Sequence, residues 1–334
     1  MNNVVTSPFS EVETIQGNFS GKDIVSLDQF GVEDLFTVIR LALQMKQLVQ
    51  RGKPSDILAG KIVSLLFFEP SSRTFGSFAS AIKRLGGQTL DIQNPETVTS
   101  VSKGETFEDT IRVFEAYSDA IVLRHPRSGA ARAAAEAALL VPVVNAGDGT
   151  NEHPTQTLLD LCTLYEHFGR LDHLTGLLAG DALNSRTMHS LMRGLSLFPG
   201  NRLYILAPHK LRLTRDDYVH ITSRGVELIE LDNENEIPPD CNFWYWTRIQ
   251  KERFASLDEY HQLAAGKFVV TPELLTRRAS RDMILMDPLP RVGTIDPAVD
   301  LDQRAVYLRS QIRNGLYTRM ALLALILSPY PLAD

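Results

Sequence analysis

The chain reads as an α/β protein: two doubly wound parallel-sheet domains, with a C-terminal helix returning to the first. Three features carry that reading. Short apolar runs rich in β-branched residues recur along the sequence, segments with helix-period apolar residues lie between them, and the runs end in polar or glycine-bearing clusters. With 334 residues and 44% hydrophobic content the chain can bury a full core, and at roughly 150 residues per domain it divides into two.

The elements follow in order. An opening helix runs from about Glu33 to Val49, with Leu35, Phe36, Ile39, Ala42, Leu43 and Met45 on its apolar side. Ile62 to Phe67 is a buried parallel strand, and Phe78, Ala81, Ile82 and Leu85 mark a helix that Gly86-Gly87 stops. A strand at Ala120 to Leu123, an alanine-rich helix from Ala130 to Ala138 and a strand at Val141 to Val144 complete the first cycle. The second begins with Leu177 to Asp181 and continues through Arg202 to Leu206, Val226 to Leu231, Phe243 to Trp246 and Met283 to Met286. A final apolar helix, about Leu316 to Leu327, comes after that set is complete, so it is expected to pack back on the first domain. The expected units are 1–152, 153–315 and a returning segment, 316–334.

Composition narrows the functions open to such a fold. A net charge of −6 and a pI near 5.8 argue against a nucleic-acid or anionic-membrane surface. Cations gathered in one place would then serve a local anion. Cys162 and Cys241 lack a C-x-x-C spacing and fit packing roles in a reducing compartment. Residues 1–13 have neither a basic leader nor an apolar stretch, and no run approaches ~18 apolar residues. The chain is read as soluble and cytoplasmic.

Chemistry collects where strands end, the edge at which such sheets place ligands. Glu69-Pro70-Ser71-Ser72-Arg73-Thr74 lies between a strand and a helix start, where free backbone N–H groups and the helix dipole favour a phosphate and Arg73 adds a forked contact. The plainer reading is a Ser N-cap with a surface arginine. Neither G-x-x-x-x-G-K-[ST] nor G-x-G-x-x-G occurs there, which favours a small phosphorylated ligand over ATP or NAD. Arg124-His125-Pro126 ends the next strand, and Asn145 to Gly149 leads to His153, with Gln156 one helical turn later on the same face. A lone histidine is more often a hydrogen-bonded structural residue; the glycine-rich turn before this one points to a site. Lys103 follows a hydroxyl-rich loop and would ordinarily be a solvated lysine.

Together these stretches, with Lys103-Gly104-Glu105-Thr106, Arg248 to Arg253 and Pro288-Leu289-Pro290-Arg291, resemble the aspartate carbamoyltransferase family, in order from about residue 24 to 328. The resemblance implies transfer of a carbamoyl group from carbamoyl phosphate to the α-amine of L-aspartate, the committed step of pyrimidine synthesis. It also implies a homotrimer with active sites shared between chains, and no cofactor or metal. Residues 1–152 would bind carbamoyl phosphate and 153–315 aspartate. By resemblance Ser71, Ser72, Arg73 and Thr74 hold the phosphate, and Thr74, Arg124 and His153 polarise the carbonyl oxygen. Gln156 and the Leu289 carbonyl hold the carbamoyl NH2, with Pro290 following in cis. Arg186, Arg248 and Gln250 take aspartate, while Lys103, with Thr99 or Ser100, reaches a neighbour's site. No protein base faces the amine, so departing phosphate would take its proton. Whether regulatory chains or a dihydroorotase attach is left open.

Several positions depart from the family pattern. Ser72 stands for a common Thr, Phe75-Gly76 and Ala79 occur where an Arg and a Glu are usual, Glu152 replaces a Gln and Asp287 a His. Inward-pointing acids would repel phosphate, so both are expected to face away. The spacing from Tyr307 to Gly315 is one residue longer than common. Ornithine carbamoyltransferase is disfavoured by Arg248 and by Asp287-Pro288-Leu289-Pro290 in place of His-Cys-Leu-Pro. A catalytically silent assembly partner is disfavoured by the intact set of polar groups.

Overall fold

The computed structural model describes residues 13–95, 103–149, 151–249, 254, 256, 258–260 and 268–328. Thr99, Ser100 and Gln250 lie outside the described residues. Two fully parallel sheets form. In the first, β1 (Ile62–Phe67), β2 (Gln88–Gln93), β3 (Ala120–His125) and β4 (Val143–Asp148) pair in the order β2-β1-β3-β4. In the second, β5 (Thr175–Ala179), β6 (Arg202–Leu206), β7 (Glu227–Leu231), β8 (Phe243–Trp246) and β9 (Ile284–Met286) pair in the order β7-β6-β5-β8-β9.

Each order contains one reversal of winding. The chain leaves β1 to one side for β2 and returns to the other side for β3; it leaves β5 for β6 and β7 and returns for β8. Crossover segments diverge at such points and leave a crevice beyond the carboxyl ends of the two strands. Gly180 tightens the second crevice. At φ +119° it lies so near the Thr247 carbonyl that a Cβ there would come within 2.2 Å of the oxygen, a position only glycine fills. The ends of β5 and β8 stay close as a result.

The helices follow from apolar spacing and caps. In α1 (Val32–Gln50), Leu35, Val38, Ile39, Ala42 and Met45 are buried, and Asp34 closes the first turn by accepting the Gly31 N–H at 2.8 Å. Helix α2 (Ser72–Arg84) follows β1, α3 (Phe107–Glu115) precedes β3, and α4 (Ala130–Ala137) joins β3 to β4. Helix α5 (Pro154–Phe168) starts with proline at its first position and ends at Gly169 in the left-handed region, φ 68°. Three shorter helices serve the second sheet: α6 (Arg186–Leu195), α7 (Arg215–Thr222) and α8 (Pro272–Arg278).

The last helix among the described residues, α9 (Ile312–Leu327), is apolar on every side over its second half. Met320, Ala321, Leu322, Leu323 and Ala324 are fully buried, as expected of a helix enclosed on every side. It packs against α1, α2 and α5, returning to the first sheet's helices as its position after β9 predicts. Within the stretch read as one residue longer than common, Tyr307–Gln311 winds as a wider π-type turn that runs into α9. One apolar cluster runs from Leu35 and Phe78 through Leu158 and Leu161 to Tyr245 and Met320, so α5 and α9 join the halves through shared core. Strand β8 is buried on both faces, with Phe243 and Tyr245 in that cluster and Trp244 and Trp246 in a second core on the opposite side.

Candidate active site

Both reversals open onto one cleft of about 770 Å³. Arg73 follows β1 and Arg124 lies in the last turn of β3; Arg186 follows β5 and Arg248 follows β8. All four line the cleft, as do Ser71, Ser72, Thr74, His153, Gln156, Leu289 and Pro290. Lys103 is not among the lining residues and is exposed.

The phosphate-type cradle forms because β1 runs straight into α2. Ser71 occupies the N-cap position but its side chain makes no capping bond, so the plainer reading of a Ser cap does not hold. Ser72 and Arg73 are exposed to the cleft, whereas Thr74 is buried. The first N–H groups of the helix face the same opening.

Arg124 is held more firmly. Its Nη1 donates to the Ala146 carbonyl at 3.1 Å, and its Nη2 lies 2.7 Å from a Glu69 carboxylate oxygen. Burial pulls its pKa down, as does neighbouring Arg186, while Glu69 pulls it up. Gly147, φ +112°, makes this approach possible: a Cβ there would sit 2.7 Å from Arg124 Nη1 and 3.5 Å from His153 Cδ2. Strand β4 continues through Asp148, beyond the end its apolar run suggests. Side chains substitute for apolar residues there, with Asn145 donating to Asp148 at 3.0 Å and accepting the Gly147 N–H at 2.8 Å.

His153 precedes α5 and is buried. Burial is the main cause that drives its pKa well below the usual imidazole value, and Arg186, Arg319 and Arg124 add to it; the ring is neutral at physiological pH. Its Nδ1 lies 3.4 Å from Thr155 Oγ1, which also accepts from Arg319 Nη2 at 3.3 Å. A guanidinium has only donors, so the hydroxyl keeps its hydrogen and one lone pair for Nδ1, and the contact fits either neutral tautomer. Arg186 reaches across the halves to donate to the Gly149 carbonyl.

The two added acids behave differently. Glu152 faces away as expected, with its carboxylate on Ser26 Oγ (2.7 Å), the Leu27 N–H (2.9 Å) and Arg193 (3.3 Å). Asp287 does not. It lines the cleft, accepts the Leu289 N–H on Oδ1 at 2.5 Å, and keeps Oδ2 buried without a hydrogen-bond partner. The contact is local: the N–H of Leu289, two residues along, turns back to the carboxylate. Phe75, at a position where arginine is usual, packs edge-on to Phe67 at 5.2 Å. Arg291 pairs with Asp300 at 2.6 Å and is not among the lining residues.

Sequence reasoning missed Asp160, Gln311 and Arg319. Arg319 is wholly enclosed, donating to Ser77 Oγ and the Gly315 carbonyl at 3.0 Å each, with its guanidinium 5.0 Å from the Phe78 ring centroid. The available signal was a charge, Arg319, set directly before the apolar run Met320 to Leu327.

Family comparison agrees with this architecture. Residues 22–166 match the aspartate/ornithine carbamoyltransferase, carbamoyl-P binding domain, and residues 172–326 match the Asp/Orn binding domain of the same proteins. The chain belongs to the aspartate/ornithine carbamoyltransferase family. Among its carbamoyltransferase relatives, the chloroplastic aspartate carbamoyltransferase of Arabidopsis thaliana is 44% identical over 92% of the chain and 78% of its own length. The multifunctional protein pyr1-3 of Dictyostelium discoideum is 43% identical over 92% of the chain, which spans only 14% of that much longer protein. The aspartate transcarbamoylase of Trypanosoma cruzi, solved in complex with carbamoyl phosphate and aspartate, superposes with a TM-score of 0.85 at 36% identity, covering 92% of this chain and 96% of that one.

Proposed function

We propose that this chain is an aspartate carbamoyltransferase, converting carbamoyl phosphate and L-aspartate to N-carbamoyl-L-aspartate and phosphate, the committed step of de novo pyrimidine (UMP) synthesis. One observation carries the reading: the two winding reversals deliver two arginines each to a single cleft. That makes one cationic lobe for a phosphate and one for a dicarboxylate, in a protein whose net charge is −6.

The chemistry follows from the groups present. The half formed by residues 1–152 takes carbamoyl phosphate, with Ser71, Ser72, Arg73 and Thr74 on the phosphate. Thr74, Arg124 and neutral His153 donate to the carbonyl oxygen, which becomes an oxyanion as the amine attacks. Gln156 and the Leu289 carbonyl hold the carbamoyl NH2. Residues 153–315 supply Arg186, Arg248 and Gln250 for the aspartate carboxylates. The aspartate nitrogen bonds to the carbamoyl carbon, the carbon–oxygen bond to phosphorus breaks, and the amine proton passes to the departing phosphate. Stabilising the charge that grows on that leaving group is the main demand placed on the protein.

Lys103 is exposed on this chain and stands outside the cleft lining, which supports its donation, with Thr99 or Ser100, to the site of a neighbour in a homotrimer. The longer relatives leave room for fused or associated partner domains such as a dihydroorotase. The direct test is turnover by the purified protein with carbamoyl phosphate and either aspartate or ornithine. Carbamoyl transfer to aspartate alone is expected; transfer to ornithine, or to neither, overturns the reading.

A further inference from the structure

Gln156 lines the cleft, but its amide is anchored from behind. Its Nε2 lies 3.2 Å from each oxygen of Asp160, one turn further along α5. Asp160 is fully buried and takes two more donors: Tyr245 OH from β8 at 2.9 Å and Gln311 Nε2 from the turn before α9 at 2.8 Å. Every neighbour donates, so the arrangement is built for a carboxylate. A primary amide has a donor end and an acceptor end. With the NH2 of Gln156 committed to Asp160, the end left to meet a ligand is Oε1, an acceptor.

We propose that Asp160 is the positioning residue by which this site selects a carbamoyl group over other acyl groups: by holding Gln156 through its NH2, it presents Oε1 to the NH2 of the acyl phosphate. The proposal rests on the reading above that Gln156 faces that NH2. An acyl phosphate bearing a methyl group in its place leaves Oε1 desolvated and unpaired, a cost that sites built around a hydrogen bond impose strongly.

The same geometry makes selection depend on the charge of Asp160. Once protonated, its O–H is a donor that Gln156 Oε1 or the Tyr245 hydroxyl can accept, and an amide turned to meet it would aim NH2 at NH2. Burial pushes this carboxyl up to about 7, against the pull of its hydrogen bonds from Gln311, Gln156 and Tyr245. The charged and titratable groups around it are Tyr245 from β8, Arg319 from α9, which favours the carboxylate, and Asp287 after β9, which is coupled to it unfavourably. Selection for carbamoyl should fall on the acid side of neutrality.

The measurement is kcat/KM with aspartate for carbamoyl phosphate and for acetyl phosphate. In the latter the amine bonds to the acetyl carbon and phosphate leaves, giving N-acetyl-aspartate. The ratio should fall at least about tenfold in Gln156→Leu and also in Asp160→Asn. A Gln156→Leu ratio equal to the parent's overturns the reading of Gln156, and the inference with it. A fall in Gln156→Leu with no change in folded Asp160→Asn overturns the inference alone. Should Asp160→Asn fail to fold, Tyr245→Phe decides: losing that donor should move the pH at which the ratio falls upward, and an unmoved profile overturns the proposal.

Discussion

The Leu289 N–H donates to Asp287 Oδ1 at 2.5 Å, and the other oxygen of the same carboxyl is buried with no hydrogen-bond partner. Burial is the chief reason that its pKa is raised from 3.8 to about 7. The unfolded chain ionises at this position near its ordinary value, while the folded protein keeps the proton until about neutrality. The favourable contribution is therefore complete below the unfolded value and is lost as pH rises through about 7. Asp287→Asn keeps an acceptor for Leu289 and removes the titration. Its stability relative to the parent, followed by thermal melting, should climb between pH 5 and pH 8 by an amount on the order of 2 kcal/mol. A difference that does not vary with pH contradicts the buried, reluctant acid described here.

The two arginines of the second crevice predict a separation of the substrate halves. Arg248→Ala should raise the aspartate requirement steeply and leave equilibrium binding of carbamoyl phosphate nearly unchanged, because Arg248 follows β8 of the second sheet. Isothermal titration of each ligand decides it. Equal losses for both ligands would show that the halves do not divide the substrates.

His153 should be neutral throughout the working range. Its main perturber is burial, followed by Arg186, Arg319 and Arg124, none of which changes charge near neutrality. Ring resonances in a nitrogen-labelled sample should keep the neutral pattern well below the ordinary transition near 6.5. A transition close to 6.5 would mean that the ring is solvated and outside the cationic cluster.

Lys103 tests the shared site. Arg73→Ala should cost about 100-fold or more in rate, since its contact strengthens as phosphate departs, and Lys103→Ala should be similarly inactive. Mixing the two after dissociation should regenerate some sites that pair an intact Arg73 chain with an intact Lys103 from a neighbour. Activity should return in the mixture. Subunit exchange seen by native mass measurement without any return of activity would make Lys103 a solvated lysine.

What could be read from the sequence depended on how local each signal was. Ile62–Phe67, Arg202–Leu206 and Phe243–Trp246 are strands at the residues their apolar runs mark, since parallel strands buried on both faces need continuous apolar sequence. Strand β2 gave no such signal. Gln88, Thr89, Asp91 and Gln93 make it polar, and it lies at the sheet edge where only one side must pair. Arg73, Arg124 and His153 stood out because each follows a strand. Asp160 and Gln311 did not, because the bond between them joins residues 151 apart in sequence, and no spacing rule reaches that far.

Among the described residues helix α9 is the last regular element, and it covers helices α1 and α2, which are among the first. At a synthesis rate of about 5 to 20 residues per second, roughly 9 to 36 seconds separate the emergence of β4 from that of α9. During that interval the surfaces of α1 and α2 that α9 will bury lack that cover. Helices α1 and α2 thus emerge well before the helix that completes their core.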